Sequence, residues 1–123
     1  MSLFEKKEFV MHSGDVGYFK IECDALTDKD WETIAFIVSQ KYEFKFVRGV
    51  PQGGLKLMHA LFKYRNPDSD VMLIVDDVLT TGKSMEDMEY ALSDRFPNIK
   101  GVVIFARTKC PDWIEPVFQM WEN

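Results

Sequence analysis

Apolar positions along the chain recur with two different spacings, and the changes of spacing mark the elements. From Lys6 to Asp24 the pattern is short and interrupted by Gly14 and Gly17, between "EFVMH" and "YFKIECD". Such breaks predict two short strands forming a flap or hairpin. In "TDKDWETIAFIVSQKY" the spacing becomes helical, with Trp31, Ile34, Ala35 and Val38 on one face. Thr27 with Asp30 three residues on has the form of a capping box. "EFKFV" (Glu43 to Val47) predicts a strand that ends in the loop "RGVPQGG". Leu57, Met58, Leu61 and Tyr64 share one side of a second helix, and "NPDSD" is a turn. "VMLIV" is a strand apolar on both faces. A third helix starts near Ser84 and buries Met85, Met88, Leu92 and Phe96. "IKGVVIFARTK" is another two-faced strand, and the tail "CPDWIEPVFQMWEN" is too interrupted by proline for a helix.

Strands buried on both faces, alternating with amphipathic helices, predict a parallel sheet covered on two sides. The expected fold is therefore α/β, a doubly wound parallel sheet with a short N-terminal strand pair and an extended C-terminal tail. Residues 1–123 read as one domain, with a flap over 1–24, an α/β core over 25–106 and the tail over 107–123. Ligands of such sheets sit at the carboxyl ends of the strands. Two loops are expected there, Arg48 to Gly54 and Asp76 to Ser84.

Composition changes this picture mainly by exclusion. Hydrophobic residues make up 46% and aromatics 14%, with charges dispersed, which is the balance of a globular chain. The formal charge of −5, without a concentration of Lys and Arg, argues against nucleic acid as a partner. No apolar run approaches a membrane span, and the start does not read as a signal peptide. Cys23 and Cys110 have no C-x-x-C spacing, so two unpaired thiols in a reducing cytoplasm are expected. His12 and His59 read as isolated surface residues.

The chemistry concentrates in "VMLIVDDVLTTGKSM". Its Gly-Lys-Ser suggests a nucleoside-triphosphate loop, but that loop needs a glycine five positions before Gly82, where this chain has Asp77. A carboxylate there would repel the phosphate. What fits instead is a loop with two ligands. Thr80, Thr81, Gly82, Lys83 and Ser84 offer hydroxyls and N–H groups at a helix start, suited to one phosphate monoester. Asp76 and Asp77 are acceptors only and suit hydroxyl donors. A ribose 5-phosphate meets both conditions.

"MLIVDDVLTTGKS" resembles the phosphoribosyl-pyrophosphate (PRPP) signature of the type I phosphoribosyltransferases, and "RGVPQGG" before the second helix resembles their pyrophosphate loop. The resemblance is good over residues 43–106. The flanks resemble individual members: "HSGDVGYFKIECD" is similar to the N-terminal strand pair of orotate enzymes, "PDWIEPVFQMWE" to the C-terminal segment of xanthine/guanine enzymes.

The resemblance implies transfer of ribose 5-phosphate from PRPP to a nucleobase nitrogen, with pyrophosphate released and Mg²⁺ as cofactor. Asp76 and Asp77 would take the ribose hydroxyls and reach the metal indirectly, through those hydroxyls or water. Thr80, Thr81, Gly82, Lys83 and Ser84 would hold the 5-phosphate. Arg48, Gly49, Val50, Pro51, Gln52 and Gly53 would meet the pyrophosphate, although many members carry a basic residue where this chain has Gln52. Trp113 is the candidate for stacking on the base, ahead of Trp121. The expected ligands are PRPP and a nucleobase or nucleoside 5-monophosphate. One departure stands out: members usually insert a long lid before the PRPP strand, and here only "RNPDSD" is present. That leaves an alternative, a PRPP- or nucleotide-binding regulatory module without efficient transfer. The apolar Phe9, Met11, Tyr18 and Phe19 suggest a flap that covers the site or joins a homodimer.

Overall fold

The computed structural model describes residues 3–5, 9–10, 16–17 and 20–120. Four short strands come first: β1 (Phe4–Glu5), β2 (Phe9–Val10), β3 (Val16–Gly17) and β4 (Lys20–Ile21). β1 pairs antiparallel with β4, and β2 with β3, giving two separate two-stranded ribbons where two strands are expected. Met11, His12, Tyr18, Phe19 and Trp121 lie outside the described residues. A single 3-10 turn, Cys23–Ala25, leads from β4 to the core.

Helix α1 (Asp28–Lys41) begins where the sequence says it should. Thr27 Oγ1 accepts from the Asp30 N–H at 3.2 Å, and Asp30 accepts from the Thr27 N–H at 2.8 Å. Trp31, Ile34, Ala35 and Val38 are its buried residues. The first strand of the main sheet, β5, spans Phe46–Gly49, three residues later than the expected Glu43 to Val47. The shift arises because Phe44, fully buried, is core filling ahead of the strand, while the strand alternates exposed Phe46 and Arg48 with buried Val47 and Gly49. It is an edge strand, so one-sided alternation replaces the two-faced pattern.

Helix α2 (Leu55–Leu61) buries Leu57 and Leu61, and a 3-10 turn (Phe62–Tyr64) prolongs it. β6 (Met72–Leu79) continues past "VMLIV" through both aspartates. Then follow α3 (Lys83–Leu92), β7 (Ile99–Ala106) and β8 (Ile114–Gln119). The sheet order is β5-β6-β7-β8, with all neighbours parallel. The extended tail is thus the outermost strand. Pro116 is tolerated in it because an outer strand can turn an unpaired side to solvent.

Two apolar layers enclose the sheet. Leu73, Val75, Val102 and Ile104 pack with α1 and α2, whereas Met72, Ile74 and Val103 pack with Met85 and Leu92 of α3. Each large side chain so buried contributes roughly 1.5–3 kcal/mol. The chain steps from β5 to β6 and from β6 to β7 in one direction across the sheet, yet α2 and α3 cover opposite faces. The two crossovers therefore have opposite hands, and one is left-handed, against the usual preference.

Candidate active site

Three loops meet at the carboxyl ends of β5, β6 and β7. The first, Val50 to Gly54, is tied to β6 by the Val50 N–H donating to the Val75 carbonyl at 2.9 Å. It closes on itself through Gly54 N–H to Val50 O at 2.8 Å and Leu55 N–H to Gln52 O at 3.1 Å, and its Pro51–Gln52 peptide is cis. Gly53 lies directly on Asp77: a Cβ there would stand 2.4–2.5 Å from the carboxylate atoms. Only glycine permits this approach. Among the described residues, the Gln52 and Gly53 N–H groups have no protein acceptor.

The second loop follows β6. Gly82, at φ 83°, takes the left-handed conformation that turns the strand into α3. The N–H groups of Thr81, Gly82, Ser84 and Met85 have no acceptor among the described residues, while Glu86 donates to the Gly82 carbonyl at 3.0 Å. Thr81 Oγ1 accepts from the Lys83 N–H at 3.3 Å. Residues Asp76 and Val78 to Met85 enclose a small open pocket of about 40 Å³. A helix start with free N–H groups and an adjacent positive dipole end is an anion site. Lys83 does not complete it here, since its Nζ lies 3.4 Å from Asp87, one turn further along the helix.

Between the loops stand Asp76, buried, and Asp77, half-buried. Asp76 Oδ1 accepts from the Asp77 N–H at 2.8 Å, and Asp77 Oδ1 from the Val78 N–H at 2.7 Å. Burial, the Asp77 hydrogen bond and the Asp77 charge together push the Asp76 carboxyl up to about 8, against a lowering by the Asp77 N–H. Burial thus favours the protonated form of the Asp76 carboxyl in the ligand-free chain. The Cys23 thiol, buried and subject to the fields of Asp77, Asp24, Asp76 and Glu22, is pushed up to about 12. It is a protonated, unreactive thiol, and neither it nor Cys110 forms a disulfide.

The structure brings Asp76, Asp77, Gly49, Val50, Gln52, Gly53 and Thr80 to Ser84 together. Arg48 is exposed on the edge strand, Pro51 is exposed at the loop tip, and Lys56 Nζ lies 3.9 Å from Asp24. Trp113 is not brought to the loops. It precedes β8, whose Ile114 pairs with Gly101, and its ring packs into the α3 face, where a Gly101 Cβ would meet Trp113 Cζ3 at 2.8 Å and Met85 Cε at 3.0 Å. Gly101 is two positions before Val103, the partner of Asp76, so the stacking candidate sits about 7 Å towards the amino ends. Between α2 and β6 the chain makes a tight turn, with Asn66 N–H bonded to the Phe44 carbonyl at 2.7 Å and Ser69 N–H to the Asn66 carbonyl at 3.1 Å. Among the described residues this connection supplies no lid.

Sequence reasoning missed the third loop. The Arg107 N–H donates to the Leu79 carbonyl at 2.9 Å, and Thr108 Oγ1 donates to the Thr80 carbonyl at 2.8 Å. No motif marks these residues; only the parallel pairing of β6 with β7 places them there.

No known family's sequence model matches the chain, and no curated protein matches it in sequence. Its fold is that of the type I phosphoribosyltransferases. Solved structures that share it include the orotate phosphoribosyltransferase of Aeropyrum pernix, with a TM-score of 0.76 and 18% identity over 95% of this chain and 88% of that one. The Mycobacterium tuberculosis orotate phosphoribosyltransferase solved with inorganic phosphate gives 0.71 and 13%, over 94% and 88%. A purine phosphoribosyltransferase of Pyrococcus horikoshii gives 0.55 and 20%, over 78% and 87%. Identities this low establish the fold and leave the substrate to the site.

Proposed function

We propose that this protein is a phosphoribosyltransferase that moves the ribose 5-phosphate of PRPP to a nucleobase nitrogen and releases pyrophosphate. The observation that carries this reading is the convergence of three fragment sites: a phosphate turn, an acidic pair and a glycine loop seated on that pair through Gly53. The 5-phosphate meets the N–H groups of Thr81, Gly82, Ser84 and Met85 with the nearby hydroxyls. The 2- and 3-hydroxyls donate to Asp76 and Asp77. The pyrophosphate meets the N–H groups of Gln52 and Gly53. As the C1–O bond breaks, its electron pair leaves with pyrophosphate and positive charge develops on the ribose, while the nitrogen lone pair of the base forms the C1–N bond and the proton of that nitrogen is released to water. The carboxylates stabilise that charge, and the two phosphate sites hold C1 in line.

The donor set also fits Mg²⁺. Among the described residues no cluster of three or more His, Cys, Asp or Glu could hold a metal, and a pair of carboxylates is what a magnesium carried in by substrate phosphates requires. Bound there beside Asp76 and Asp77, it would supply neutralising charge to the departing pyrophosphate.

The test is pyrophosphate release from Mg²⁺–PRPP with orotate, uracil, hypoxanthine, guanine, xanthine and adenine in turn, alongside calorimetric titration of PRPP. Release with one base above its base-free rate is expected. The tight turn between α2 and β6 favours one second reading, a PRPP- or nucleotide-binding module without efficient transfer, because an open site admits water. Binding without base-dependent release would select it, and no binding at millimolar PRPP would remove both.

A further inference from the structure

We infer that Thr108 and Gln119 are positioning residues that set the phosphate turn from outside it. The inference rests on reading Thr80 to Ser84 as that turn. Across a planar trans peptide the C=O of one residue and the N–H of the next point in opposite directions. The Thr108 hydroxyl, bonded to the Thr80 carbonyl at 2.8 Å, therefore also fixes the Thr81 N–H, one of the four donors of this turn with no acceptor among the described residues. Arg107 N–H holds the preceding carbonyl, that of Leu79, at 2.9 Å.

Residue 108 is held in turn by the outer strand. Gln119 Nε2 lies 3.2 Å from the Ala106 carbonyl, 3.1 Å from that of Thr108 and 3.1 Å from that of Met120. The Met120 N–H adds a bond to the Ala106 carbonyl at 2.8 Å. The amide of Gln119 thus clamps the chain where it leaves β7, and Thr108 passes that constraint to Thr80. This gives β8 a part in the site although it contributes no atom to the pocket.

The brace acts on one fragment site only, which makes it separable from general stability. Thr108→Val should weaken ribose 5-phosphate and inorganic phosphate about three- to tenfold by calorimetry, the scale of one partly solvated hydrogen bond. Pyrophosphate, on the Gln52–Gly53 loop, should keep its affinity. Thr108→Ser should restore the loss, and Gln119→Leu should reproduce it in part. Where transfer is measurable, KM for PRPP should rise with kcat nearly unchanged. Unchanged ribose 5-phosphate affinity in Thr108→Val would overturn the inference. So would an equal loss of pyrophosphate affinity, or failure of Thr108→Ser to recover. These readouts use fragments, so they stand even if PRPP proves not to be a substrate.

Discussion

Asp76 carries the main tension at the residue scale. Its ordinary value is 3.8, and the fold pushes it up to about 8, first by burial. Between those values the folded chain keeps a proton that the unfolded chain has released, so this group's contribution to stability falls as pH rises through the window. Asp76→Asn copies the protonated form: its oxygen can still accept from the Asp77 N–H and its amide can donate to Asp77. The variant should therefore melt above the parent at pH 8, with the difference shrinking towards pH 4; parallel melting profiles across that range would contradict the assignment. The same substitution should weaken PRPP more than inorganic phosphate, because only PRPP has the diol, and equal losses would show the carboxylates misassigned. Gly53→Ala tests the neighbouring contact. Its Cβ would fall 2.4–2.5 Å from the Asp77 carboxylate, and because Gly53 is exposed at a loop the fold should survive. PRPP affinity should drop at least about tenfold; a wild-type titration curve would mean that the two loops do not act together.

Elements show which signals are local. The capping box of α1 was legible because all its atoms lie within four residues, and Thr27→Ala should cost about 1 kcal/mol in denaturant unfolding with no effect on ligands. The position of β5 was not legible. "EFKFV" alternates as a strand does, but Phe44 is absorbed by the core before pairing with β6 begins at Phe46. β8 reads as a tail in the sequence because proline excludes a helix, and its place beside β7 depends on pairing that no local pattern encodes. Trp113 immediately precedes that strand. Half-buried against Gly101 and Met85, it should cost about 2 kcal/mol on truncation to alanine. PRPP affinity should be untouched, and the nucleobase likewise, measured as its KM in the transfer assay. A rise in base KM for Trp113→Phe at unchanged stability would restore the stacking role implied by resemblance.

At the scale of the whole molecule, one sheet brings together segments that are remote in sequence. The glycine loop, the Thr80–Ser84 turn and the Arg107–Thr108 turn follow three adjacent parallel strands, so all three open at the same end. A ligand that spans them ties β5, β6 and β7 together and should raise the melting temperature. Saturation at one hundred times Kd corresponds to about 2.7 kcal/mol. At equal saturation ratio Mg²⁺–PRPP and ribose 5-phosphate should stabilise alike, because the ratio of free ligand to Kd alone sets the gain. The homodimer suggested by the apolar N-terminal positions is checked by light scattering of the full chain, where twice the chain mass is the expected result.

Local patterns along the chain fix the alternation of elements, the helix start at Thr27, the two-faced strands and the run from Asp76 to Ser84. Each is a short-range pattern, in which spacing along the chain dictates spacing in space. The turn from Thr80 to Ser84 was visible because a strand, a glycine and a helix start are consecutive. Only the packing of the whole chain places Gly53 on Asp77, packs half-buried Trp113 against the α3 face, sets Thr108 against Thr80 and gives the two crossovers opposite hands. Those outcomes depend on which strands become neighbours and which faces the helices cover. Such choices minimise exposed apolar surface over the whole domain, and no single segment contains the information to make them.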